Sequence, residues 1–366
     1  MPQATSHSAR ATLDVLSTRT RVMLGAAAVS AVLAGVLSAA SGGAVLIFVI
    51  SGAALALLAA LVGEATEQLG SRLGPGATGV LQSALGNLPE LFVGIFALRA
   101  GLVTVVQAAL VGSILGNSLL VLGLAFIVGG LKHGTQVFSK DAPRNMATLT
   151  LLAVAALVVP TLTSGLHTPA AGHEEGLSVA AALVLLAVFV ASIPVALSGA
   201  PTSMPAETSD EQPELWPLGL AIAVLVAAGV GSAFVSDWFV GALNGAMSAL
   251  HLSPAFTGLV IVALAGNAVE NVVGIQLAAR DKMDYAISVI LNSSLQVALG
   301  LIPVLVLLSF VVGAHLTLVL PPLLLVALGL SALLGTVITY DGKSTWLEGL
   351  ALVGLYAILA VSFWWG

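Results

Sequence analysis

The sequence predicts an all-α integral membrane protein of about eleven transmembrane helices, arranged as one leading helix and two five-helix inverted repeats. Three observations predict it. Of 366 residues, 58% are hydrophobic and only 8% charged, against about 25% charged in soluble domains. Apolar runs such as Ala147 to Gly165 recur along the chain, and roughly 18 or more apolar residues in succession are what a helix needs to cross a bilayer. A segment with a polar centre occurs twice, 180 residues apart. Aromatics make up 5% and strand-like alternation is absent, which argues against a membrane barrel. The chain has no cysteine, so disulfides and thiolate metal sites are excluded.

Between polar breaks the apolar runs lie near 22–40, 44–63, 78–98, 103–130, 147–165, 177–198, 217–236, 254–279, 284–312, 316–339 and 346–364. The first 21 residues are polar, and the apolar run that follows is long enough to span, so it reads as a retained helix and not a cleaved signal. The seventh run ends near Asp237, with room for a tilted or amphipathic extension to about Leu250. With the N-terminus in the cytoplasm, Arg10, Arg19, Arg21, Arg72, Lys132, Lys140, Arg144, Arg280, Lys282 and Lys343 all fall inside. Only Arg99 falls outside, so ten of the eleven basic residues share one face. Cytoplasmic loops collect Lys and Arg in this way, and the expected location is a bacterial-type plasma (inner) membrane.

The stretch from Ser198 to Pro217 holds Pro201, Pro205, Pro213, Glu207, Asp210, Glu211 and Glu214, the composition of a solvated linker. It divides the chain into a cytoplasmic tail with the leading helix (1–43), a first repeat (44–198), an acidic cytoplasmic linker (199–216) and a second repeat (217–366). Five spans per repeat is an odd number, so the second copy is expected upside down relative to the first. Inverted repeats of this kind place transporter sites between the copies near the bilayer midplane.

The repeated segment carries the chemistry. Gly86-Asn87-Leu88-Pro89-Glu90-Leu91-Phe92-Val93-Gly94-Ile95 returns as Gly266-Asn267-Ala268-Val269-Glu270-Asn271-Val272-Val273-Gly274-Ile275, with six of ten positions identical. The same offset maps Ser113 onto Ser293. An ionised carboxylate inside a bilayer costs several kcal/mol on insertion scales (about 2.5–3.5 at a helix centre). Glu90 and Glu270 therefore need a cavity, a cation or a partner, and no basic residue lies at matching depth. Asn87, Asn267, Ser113, Asn117, Ser293 and Gln296 add neutral oxygens, a donor set that suits a hard cation such as Ca2+. Two carboxylates with one Ca2+, or with two protons, form a neutral site that can change access, whereas the doubly charged empty site resists crossing. That count gives electroneutral exchange of one Ca2+ for two protons. Glu64, Glu67 and Asp237, near predicted helix ends, would serve at most as a vestibule or proton pathway.

At these residues the chain resembles the calcium/cation antiporter superfamily, in its cation/proton (Ca2+/H+) exchanger branch. The resemblance rests on GNLPELFVGIFALRAG with GSILGN, on GNAVENVVGIQLAARDKMD with NSSLQ, and on GEATEQL, where Glu67 matches an acidic position. It implies that Glu90 and Glu270 are Ca2+ ligands and proton carriers, and that the other six residues line the site. The chain departs from the pattern where many proton-coupled members have His and it has Asn271, at Asn292 in place of Gly, and at Leu88-Pro89.

The expected function is Ca2+/H+ exchange exporting Ca2+, with no permanently bound cofactor. The alternative is a Na+-coupled exchanger of the same superfamily. Partners are inorganic cations and lipid, with no nucleic acid. An enzyme is disfavoured because there is no HExxH, no cysteine and no Ser–His pair at useful spacing. A channel is disfavoured by the inverted repeat within one chain.

Overall fold

The computed structural model describes residues 16–73, 81–82, 84–139, 141–197, 215–338 and 340–365. Most of the tail and linker, and the start of the third predicted span, lie outside the described residues. Within them the chain is almost entirely helical: α1 Thr18–Ala39, α2 Ala44–Gly70, α3 Leu88–Arg99, α4 Val103–His133, α5 Asp141–Gly165, α6 Glu174–Leu197, α7 Leu218–Leu250, α8 Pro254–Gly266, α9 Ala268–Ala279, α10 Met283–Val311, α11 Pro322–Ile338 and α12 Trp346–Trp364. One short antiparallel strand pair joins β1 Gln136–Val137 to β2 Lys343–Ser344. Among the described residues, eight helices are long and apolar enough to cross a membrane, or nine if the bent pair α8–α9 counts as one span.

The helix bounds repeat with the sequence offset. Adding 180 to Leu88 and Arg99 gives Ala268 and Ala279, the bounds of α9, and adding it to Gly70 gives Leu250, the end of α7. α4 and α10 each contain a π-helical turn, Gly116–Val121 and Val297–Leu301, at nearly equivalent places. A π turn inserts one residue, re-aims the side chains beside it, and is frequent at functional sites.

The chain forms two compact units, Met1–Val93 with Pro194–Ala246 and Gly94–Ile193 with Met247–Gly366. Each draws helices from both halves of the sequence. In the first unit α2 runs along α7. Phe48 stacks on Phe239 at 4.9 Å, and a Cβ on Gly245 would come within 2.6 Å of the Ala44 methyl. α1 turns back onto this pair, burying Ala27 and Ala34 while Val22, Val29, Val32 and Val36 stay exposed, as suits a helix that faces lipid on one side.

In the second unit α4 is the most buried span. It crosses α8 at two glycines, where a Cβ on Gly112 would lie 2.3 Å from the Leu259 carbonyl oxygen and one on Gly258 would lie 2.3 Å from that of Val105. Only glycine permits backbones to approach so closely, the usual device of tight membrane helix contacts.

The seventh span takes the extension expected for it, since α7 continues unbroken past Asp237 to Leu250. Residues 238–250 are apolar and helix-compatible, and a single exposed carboxylate does not stop a helix. The tenth apolar run, expected from 316, becomes helical only at Pro322. Proline disfavours helical geometry in the residue before it, and Pro321-Pro322 delays the start. The stretch before it is non-helical, with Leu316, Leu318 and Leu320 buried. Its peptide groups find side-chain partners: Gln107 Nε2 donates to the Thr317 and Val319 carbonyls, and Thr161 Oγ1 donates to that of Leu318. Leu316, Leu318 and Leu320 N–H donate to Ser309, Ser178 and Thr161 hydroxyls. Buried backbone outside a helix requires such partners.

Replacing Gly112 by valine should lower the thermal unfolding midpoint of the purified protein, because overpacking costs about 1–3 kcal/mol. Gly25→Ala, whose new methyl would meet nothing within 4 Å, should leave the midpoint unchanged or raise it. Equal losses in both would remove the close-approach argument.

Candidate cation site

The predicted site residues fall on helix ends and π turns. In the second half the chain breaks at Asn267, so that α8 and the following helix meet at 66°. Gly266 ends α8, Asn267 has φ −94° and ψ 19°, and Glu270 lies in the first turn of α9. In the first half the break is a turn at Gly86–Asn87, after which α3 begins with Pro89 and Glu90 in its first turn. Proline is tolerated there because the first N–H groups of a helix have no internal partner. Each glutamate thus sits at the third residue of a short helix. The exposed N–H groups of that end favour negative charge, by about 0.3–1 kcal/mol at surface sites, which offsets part of the cost of holding a carboxylate among apolar helices.

Asn267 shows what the break is for. Asparagine at a helix start ordinarily caps that helix with its own side chain, but here no such cap forms. Its amide reaches sideways instead. Nδ2 donates to Ser113 Oγ at 3.0 Å and to the Ala263 carbonyl at 2.9 Å. Its Oδ1 accepts from Ser293 Oγ at 3.3 Å and from Asn117 Nδ2 at 3.4 Å, while Asn117 Nδ2 also donates to Ser293 Oγ at 2.9 Å. All four residues are at most 5% exposed. One amide therefore ties α4 to α10 across the broken helix.

The network leaves one acceptor over. Asn117 Oδ1 is buried and has no hydrogen-bond partner among the described residues. A buried carbonyl-type oxygen of this kind calls for a water or a cation, and the residues around it are oxygen-rich and uncharged. That donor set fits a hard cation. Gln296, 9% exposed, immediately precedes the π turn of α10.

The eight predicted residues thus divide. Ser113, Asn117, Asn267 and Ser293 are directly bonded to one another in the second compact unit, and Glu270 and Gln296 lie on the helices they join. Asn87 and Glu90 belong to the first unit, at the equivalent helix start. Of the weaker candidates, Glu64 is half-buried and accepts from Thr20 Oγ1 at 2.5 Å, Glu67 is exposed one turn further along α2, and Asp237 is exposed in mid-helix. Sequence reasoning missed Ser118 and Ser294. Their hydroxyls lie 3.2 Å apart, both buried, beside Asn117 and Ser293. Their position next to two singled-out residues was the available signal.

The pattern that describes the sodium/calcium exchanger protein family matches this chain twice, over residues 43–197 and 220–365. The chain belongs to that family. Among relatives of this exchanger, a Ca2+/H+ antiporter of Synechocystis sp. (strain ATCC 27184 / PCC 6803 / Kazusa) is 37% identical over 341 residues, covering 87% of this chain and 90% of its own. The Ca2+/H+ antiporter ChaA of Bacillus subtilis (strain 168) is 36% identical over 313 residues, covering 84% and 88%. Of solved structures, native YfkE superposes with a TM-score of 0.80 at 32% identity, over 93% of this chain and 99% of that one. The resemblance read from the two Gly-Asn-x-x-Glu segments is therefore that of a cation/proton exchanger.

Replacing Asn267 by leucine should remove one hydrogen bond each from Ser113, Asn117 and Ser293. Each such loss costs about 0.5–1.5 kcal/mol. The expected outcome is a fall in melting temperature clearly larger than that of Asn87→Leu, read by scanning fluorimetry in detergent. Equal falls would mean that the Asn267 network carries no special share of the fold.

Proposed function

We propose that this exchanger moves Ca2+ out of the cell in return for protons, by alternating access around a site that contains Glu90 and Glu270. Asn87, Asn267, Ser113, Asn117, Ser293 and Gln296 complete the oxygen set. In this reading the chain has eleven spans, a leading helix and two five-helix inverted repeats, with a cytoplasmic N-terminus in a bacterial-type inner membrane.

The observation that carries the reading is the doubled helix start. Twice, 180 residues apart, a Gly-Asn break opens a twelve-residue helix with a glutamate in its first turn. Support also comes from the bacterial relatives, which bear the name Ca2+/H+ antiporter, and from the uncharged oxygen network beside the second glutamate. Two carboxylates are neutralised equally by one Ca2+ or by two protons. The two loaded forms carry the same charge and change access with similar ease, whereas the empty form holds two unscreened charges. This couples the fluxes. Each neutral oxygen adds a ligand without adding charge, so a full Ca2+ shell of six to eight oxygens forms while the exchange remains electroneutral. Coupling to Na+ is the other reading of the family, and no observation on these residues favours it.

Ca2+ uptake into proteoliposomes should follow an imposed pH gradient and not an imposed Na+ gradient. Glu90→Gln and Glu270→Gln should each abolish it while retaining the wild-type melting profile. Uptake driven by Na+ alone would overturn proton coupling, and undiminished uptake in either variant would remove that glutamate from the site. Net current during uptake would reject the count of two protons per Ca2+.

A further inference from the structure

The leading helix stands outside both repeats, yet its one fully buried polar side chain among the described residues, Thr20, is bonded to a carboxylate of α2. We propose that Thr20 is a positioning residue for Glu64, which makes α1 part of the cation route at that end of α2. The inference rests on the exchanger reading above and extends it to a helix the repeats do not include.

Threonine within a helix ordinarily returns its hydroxyl to the carbonyl four residues back. Thr66, Thr148, Thr150 and Thr336 all do so here, bonding Val62, Arg144, Met146 and Ala332. Thr20 does not. The corresponding carbonyl, that of Leu16, accepts from Arg21 Nε at 2.9 Å. Ser17 caps the helix by accepting from Thr20 N–H at 3.1 Å, and its hydroxyl lies 2.7 Å from Thr20 Oγ1. With those groups engaged, Thr20 Oγ1 donates to Glu64 Oε1 at 2.5 Å.

That bond holds one oxygen of Glu64. Among the described residues the other takes no hydrogen bond, so a half-buried carboxylate is fixed in one orientation with a free oxygen. The charged groups at this end of the two helices are Arg19 and Arg21 on α1, Glu67 on α2 and Arg72 just beyond the end of α2. The Arg72 guanidinium is turned to the Trp216 carbonyl, and α7 carries no charge before Asp237. A hydrated cation approaching this end of α2 meets Glu64 already oriented, with its side-chain entropy already lost. The leading helix thus contributes to affinity without touching the site where Glu90 and Glu270 are proposed to act.

The test is the initial rate of Ca2+ uptake into everted vesicles under a pH gradient, against Ca2+ concentration. Thr20→Val should raise the apparent KM about three- to tenfold, the scale of a typical net hydrogen bond, with the plateau rate held within about twofold. Thr20→Ser, which keeps the hydroxyl, should restore the wild-type KM. In a Glu64→Asp background, whose shorter carboxylate withdraws from α1, Thr20→Val should add nothing further. An unchanged KM in Thr20→Val overturns the proposal, as does a serine variant as impaired as the valine one, or a valine effect that persists in full beside Glu64→Asp. If the wild-type protein takes up no Ca2+ under a pH gradient, the exchanger reading falls and this inference falls with it. Wild-type uptake with an unmoved KM removes the role of Thr20 alone.

Discussion

A polar side chain on an apolar helix must find its partner inside the protein, because lipid offers none. Asn267 is where that constraint is concentrated. It gives up the capping bond its residue type favours and spends both ends of its amide on α4 and α10. The break in the chain, the spacing of the two long helices and the burial of Ser113, Asn117 and Ser293 all follow from satisfying that one group. A leucine in its place would fit the hydropathy of the segment and leave the crossing to the Asn117–Ser293 and Ser118–Ser294 bonds.

The glutamates depend on the same break. A carboxylate in the middle of a continuous helix faces peptide groups already paired with one another. At a helix start it faces N–H groups that lack an internal acceptor. Interrupting the helix at Gly-Asn therefore supplies the favourable end of a helix dipole at a depth where few other groups can oppose a negative charge. This happens twice, at matching residues, which is why a duplicated motif is also a duplicated electrostatic environment.

Much of this was legible in the residues. The membrane class, most helix bounds and the equivalent placing of Glu90 and Glu270, each in the first turn of its own helix, follow from hydropathy and from one offset. What hydropathy could not reveal is where an apolar run stops being a helix. Residues 254–279 read as one span but bend at Asn267, and the run from 316 includes a non-helical segment before Pro322. Both are apolar enough on average to read as spans, and hydropathy sums side chains while the break lies in the backbone. Ser118, Ser294 and Thr20 were passed over for a related reason. A single hydroxyl in a helix ordinarily bonds its own backbone, and only the tertiary neighbours reveal which hydroxyls do otherwise.

The non-helical stretch ahead of Pro322 bears on how this protein tolerates change over evolutionary time. A helix renews its own hydrogen bonds at every residue, so most of its side chains can drift as long as they stay greasy. This stretch borrows its bonds from Gln107, Thr161, Ser178 and Ser309, side chains on four separate helices. Loss of any one strands a peptide group with no water to rescue it, so these four unremarkable polar positions are tied to one another's fate. Their neighbours on the lipid-facing surface are free to wander.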